Sequence, residues 1–126
     1  MMSEPFRQGF SLSGSTVSGD FAEMGVMSGS RDYTQCAGRE QVPPQRAISA
    51  CDRIIGERIS REYTSAALFF RARLYRGQGD ADRARRDYDR ALETLNAMVM
   101  SEPRRWNYWH NRAAVRLLDS QRAGAG

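Results

Sequence analysis

The sequence predicts an all-α domain of about four antiparallel helices behind an N-terminal tail. Three observations predict it. Apolar residues recur three and four apart from Ala47 to Leu117, the spacing of one buried helix face. Helix punctuation falls between those stripes, at Pro43-Pro44, at Gly77-Gln78-Gly79-Asp80 and at Ser101-Glu102-Pro103. The start of the chain is different in kind: half of residues 9–30 are Gly or Ser, and apolar residues stand singly. Such a segment buries too little surface to offset its ordering entropy, so 1–35 is expected to be a disordered tail. A chain of 126 residues leaves room for one domain, placed at 36–122.

The first expected helix opens at Pro44, a residue suited to the first turn, and carries Ala47, Ile48, Cys51, Ile54 and Ile55 on one face. The second starts between Ser60 and Thr64, turns Tyr63, Ala67, Phe70 and Leu74 inward, and stops at Gly77-Gln78-Gly79. Asp80 or Ala81 opens the third, which runs to about Met98 or Val99. Ser101-Glu102-Pro103 supplies a cap, an acid and a proline for the fourth, which carries Trp106, Trp109, Ala113 and Leu117 and ends before Gly124. Trp106, Tyr108 and Trp109 cannot all face one way on a helix, so at least one aromatic is expected at the surface.

The run from Leu68 to Ala91 has a further pattern. Leu68 is a large apolar residue, Ala72 a small one and Tyr75 an aromatic, and Gly79-Asp80 make a turn before Ala84, Tyr88 and Ala91. This resembles a tetratricopeptide repeat, with Arg71 where the family usually has Leu. Ala47-Ile48-Ser49-Ala50-Cys51-Asp52-Arg53-Ile54 repeats the rhythm of Ala84 to Ala91, and Trp109 to Ala113 repeats Leu68 to Ala72. The offsets, 37 and 41 residues, exceed the family's about 34, so longer loops are expected. The resemblance implies a short right-handed solenoid: the second helix of one repeat, a whole repeat, and the first helix of a third. It also implies a non-catalytic scaffold that binds a protein or peptide on its concave face. Carried across residue by residue, that face would hold Phe69, Arg73 and Arg76 from the whole repeat and His110 and Asn111 from the next. Arg73 and Arg76 would pair with a carboxylate through their planar forks. The alternative is that Phe69 is core and the arginines solvate the groove.

Cys36 and Cys51 are the two cysteines, on either side of the Pro43-Pro44 helix start. A disulfide between them would contribute about 3 kcal/mol in the chain-entropy model. Burial of Cys51 as a small apolar residue is the competing reading. The pattern resembles small secreted or periplasmic bacterial repeat proteins, in which a Cys lead-in precedes a Pro-Pro-x-x-Ala-Ile-x-x-Cys helix. As the sequence stands it shows no basic start followed by an apolar run, which reads as cytoplasmic, with the periplasm as the alternative. Two cysteines without a matching His or Cys pair do not make a four-ligand metal site.

All 19 basic residues are Arg, and the net charge is +4. An anion-binding surface and a codon bias toward Arg both explain that. Acids interleave with the arginines at three and four apart, as on a solvated helix face. Nucleic-acid binding therefore stays a minor alternative, since aromatic and basic residues do not interleave on one face. No stretch has the length of a membrane span. His110 has no acid or nucleophile in a recognisable relation to it, and Gly77-Gln78-Gly79 lacks the Lys-Ser/Thr of a phosphate loop. No enzyme, cofactor or metal is expected. The remaining class is self-assembly: an unpaired first helix and the aromatic last helix of two copies, through Trp106 and Trp109, would form a homodimer.

Overall fold

The structure is a computed structural model and describes residues 30–125. They form five helices, α1 (Arg31–Cys36), α2 (Pro44–Glu57), α3 (Arg61–Gly77), α4 (Ala81–Ser101) and α5 (Trp106–Ala125), and among the described residues there is no strand. Each helix packs antiparallel on the next, α3 and α4 share the broadest interface, and α1 also touches α3.

The helix starts follow from local chemistry. Ser30 and Ser60 accept hydrogen bonds from the amides of Tyr33 and Tyr63, and Asp80 accepts from that of Arg83, so α1, α3 and α4 each have a side-chain cap. Pro44 opens α2 with Pro43 before it. The ends of α1 and α3 share one device. Gly38 and Gly79 both take positive φ, and the next amide reaches five residues back, Arg39 to the carbonyl of Thr34 and Asp80 to that of Tyr75. Both are Schellman closures, in which glycine adopts a left-handed turn without a Cβ penalty.

Part of the segment expected to be a disordered tail is helical. Residues 31–35 lie in α1, while 1–29 fall outside the described residues. A helix of six residues has no independent stability. It is held by the Cys36–Cys51 disulfide to α2, by an ion pair between Asp32 and Arg53, and by Tyr33, whose ring meets Phe70 edge-on at 5.9 Å. The position before α2, expected to be unpaired, is therefore filled. The Ser101-Glu102-Pro103 start is also displaced. Ser101 is the last residue of α4 and its hydroxyl donates back to the Met98 carbonyl, so it caps nothing; α5 opens at Trp106 after a turn closed by Arg105 on Glu102.

The core lies along α3. From Ser65 to Phe70 every residue is buried, as is Ala72, so this helix is enclosed nearly all round. Ala84, Tyr88, Ala91, Leu95 and Met98 of α4 face it, and Cys51 and Ile54 of α2 join the same cluster. Ala72, Ala84 and Ala91 are each fully buried, where small side chains let α3 and α4 approach closely.

Candidate functional site

Arg71 is the pin of the domain. Its Nε and Nη2 donate to the two carboxylate oxygens of Asp87 on α4 at 2.7 and 2.8 Å, and its Nη1 donates to Asp52 on α2 at 2.8 Å. One guanidinium thus joins three helices. The hydrogen bonds to Asp87 hold it above the ordinary arginine range, against the opposing effect of burial. Arg71 and Arg83 also lie over the ring of Tyr75, at 5.8 and 5.6 Å from its centroid. The residue that departs from the repeat pattern is therefore structural.

Two polar contacts relate α5 to α3. Tyr108, near the start of α5, donates its hydroxyl to Glu62, near the start of α3, at 2.6 Å. Arg76, near the end of α3, donates to the Leu118 carbonyl at 3.4 Å. The two helices therefore run in the same direction. Tyr108 is buried and its pKa is pushed up to about 12, first by that burial and then by Glu62; its hydrogen bond in turn lowers the Glu62 carboxyl.

The five residues expected on a concave face divide. Phe69 is fully buried, with its ring against Phe70 and Tyr88, so it is core and not a ligand contact. Asn111 is also fully buried on α5. Arg73, Arg76 and His110 are at the surface. Arg73 lies over the Phe69 ring at 5.7 Å, and His110 meets the Trp106 ring edge-on at 6.0 Å. They do not form one cluster. His110 follows Tyr108, level with the start of α3, whereas Arg76 is fourteen residues beyond Glu62, a rise of about 20 Å.

The large exposed apolar side chains lie elsewhere: Ile59 between α2 and α3, Met100 near the end of α4, and three residues on α5. Trp106 is 69 % exposed, Trp109 44 % and Leu117 60 %, and Met100 at the end of α4 is 82 %. Trp106, Trp109, Ala113 and Leu117 lie three and four apart on one stripe, opposite the buried Asn107, Tyr108, Asn111 and Val115. Tyr108 therefore turns in and both tryptophans turn out. Trp109 is fixed in place: its indole N–H donates to the Pro103 carbonyl at 2.8 Å, and Arg112 lies over its ring at 4.6 Å while donating to Asn96. Arg105 lies over the ring of the inward Tyr108 at 4.8 Å and pairs with Glu102, while Arg104 and Arg116 are exposed. Spacing in the sequence predicts an exposed aromatic, but not which one, because that depends on where α4 lies.

Among the described residues, no group of three His, Cys, Asp or Glu side chains is placed to hold a metal ion, and both cysteines are in the disulfide. No described helix is long and apolar enough to cross a membrane. Comparison with protein-family models, with curated proteins and with solved structures gives no match.

Proposed function

We propose that this chain is a non-catalytic protein-interaction module of the tetratricopeptide-like kind, a short right-handed solenoid that carries a protein or peptide partner. In this reading α1 with α2 and α3 with α4 are successive hairpins, and α5 opens a third. Three features support it: the matched glycine closures at Gly38 and Gly79, the parallel course of α3 and α5, and the burial of Ala47, Cys51 and Ile54 in step with Ala84, Tyr88 and Ala91.

The observation that carries the function is the exposed stripe of Trp106, Trp109 and Leu117 on α5. Large aromatic side chains held rigidly at a surface are the usual anchors of protein interfaces. The partner accordingly docks on α5 and not in a groove built on Phe69 and Asn111, both of which are inside. A second copy is a poorer occupant, since the place before α2 that it would complete is already filled by α1 of the same chain, and pairing α5 with α5 would bring their arginines together.

Affinity capture from a nuclease-treated native lysate tests this, using the parent, Trp106→Glu/Trp109→Glu and Arg73→Glu/Arg76→Glu. The reading expects a partner protein that the tryptophan variant loses and the arginine variant keeps. A partner lost only by the arginine variant would return the site to the α3 face. A parent that retains no protein, or that scatters light as a dimer broken by the tryptophan variant, would overturn the adaptor reading.

A further inference from the structure

We propose that the cleft between the end of α2, the first turn of α3 and the second half of α4 binds a phosphate monoester of a small molecule. The cleft is an open surface depression of about 750 Å³ whose arginines are exposed to solvent. Three arginines from three successive elements line it: Arg58 just after α2, Arg61 opening α3, and Arg90 on α4.

These arginines differ from the five in the domain that are held by acids. Arg31, Arg53, Arg71, Arg83 and Arg105 each have a carboxylate within ion-pair distance. In the cleft Arg61 meets only the Ser101 hydroxyl, at 3.2 Å, and the guanidinium groups of Arg58 and Arg90 have no hydrogen bond or ion pair among the described residues. Glu93 also lines the cleft but forms no ion pair with any of the three, which leaves the site cationic. Arg58 is held at φ 54°, a left-handed conformation that is unfavourable for any residue with a Cβ.

The rest of the lining suits a phosphate on a compact body. Guanidinium forks match phosphate oxygens in pairs, and three of them from different helices answer a dianion better than a single carboxylate. The Ser60 hydroxyl oxygen accepts from the Tyr63 amide, which leaves its O–H to donate, and Thr64 adds a second hydroxyl. Ile55 and Ala97 give the cleft an apolar side for the remainder of the ligand. The cleft is lined by α2, α3 and α4 and by no residue of the α5 stripe, so the proposal does not rest on the docking of a protein partner.

Calorimetric titration with phenyl phosphate tests it, with inorganic sulfate and a phosphoserine peptide as comparison ligands. The parent is expected to bind phenyl phosphate saturably and more tightly than sulfate. Arg58→Gln/Arg90→Gln should weaken that binding at least tenfold, whereas Arg73→Gln/Arg76→Gln should leave it within twofold; circular dichroism checks that each variant is folded. Absence of saturable binding, or equal weakening in both variants, would overturn the site and leave general attraction to a basic surface. A phosphoserine peptide that binds more tightly than phenyl phosphate would overturn the assignment to a small molecule.

Discussion

Helices α3 and α5 run parallel and carry similar sequence runs, yet one is core and the other is surface. Leu68-Phe69-Phe70-Arg71-Ala72 is buried apart from a small part of Arg71, whereas in Trp109-His110-Asn111-Arg112-Ala113 Asn111 is the one buried residue. The cause is position in the stack. Helix α3 is covered by α1, α2 and α4, while α5 rests on α4 and touches α3 through side chains. The same spacing therefore packs a core when a helix has neighbours on both sides and presents a contact surface when it has them on one. The charged residues follow the same division. Arg71 joins three helices from within, whereas Arg112 reaches only from α5 to Asn96 on α4 while lying over the Trp109 ring.

The strongest way to break this contrast is to unpair the pin in α3. Asp87→Ala leaves the Arg71 charge with Asp52 alone, whose side chain is half-exposed. Urea unfolding should show a loss of about 3 kcal/mol. Arg71→Leu/Asp87→Leu removes both charges and should cost less than half as much, because the desolvation penalty goes with the pair. Removing the disulfide comes next. Cys36→Ala/Cys51→Ala opens a loop of 15 residues and should cost about 3 kcal/mol by the same assay, with the α1 amides losing hydrogen-exchange protection first.

Tyr108→Phe then loosens the tie between α5 and α3. It should cost about 1.5 kcal/mol at neutral pH, as for a hydrogen bond to a charged group. The pH dependence follows from the shifts. Tyr33 and Tyr108 are pushed from 10.0 to about 12 by burial first, with Tyr63 adding to Tyr33 and Glu62 to Tyr108. The stability they lend is complete below pH 10 and is lost as the pH rises from 10 to about 12. The alkaline unfolding of Tyr108→Phe, followed by circular dichroism, should be shallower than that of the parent. Glu62 works in the opposite sense: its lowered pKa stabilises the fold at neutral pH, and that contribution is lost as acid titrates it. Trp106→Glu should have the smallest effect, with stability within about 0.5 kcal/mol of the parent, because that side chain is mostly in solvent.

What could be read from the sequence was what local chemistry decides. Pro44, Gly79 and Asp80 mark helix ends by their own backbone preferences, and the stripes of α2 and α4 show directly in residue spacing. Helix α1 could not be read that way. Its six residues have no stripe, and it exists because Cys36 and Tyr33 attach it to α2 and α3. Gly38 closes α1 in the same way that Gly79 closes α3, a match that shows only once α1 is recognised. Phe69 and Asn111, placed on the concave face by the family resemblance with a core Phe69 as the alternative, are both buried, since a shared face does not say how many of its sides a neighbour covers. The Arg71 clamp was half legible, since Arg71 stood out as a departure from the repeat pattern, but Asp87 comes within reach only when α3 folds back on α4.

The central claim is that the outer face of α5 is uncovered in the isolated protein and available to a partner. Native-state amide hydrogen exchange tests it most directly, by comparing residues 65–72 of α3 with 106–117 of α5. The account predicts that the α3 amides exchange only on global unfolding and that α5 opens at a lower free energy, independent of protein concentration. Protection of α5 equal to that of α3, or rising with concentration, would contradict it, because the face would then already be occupied.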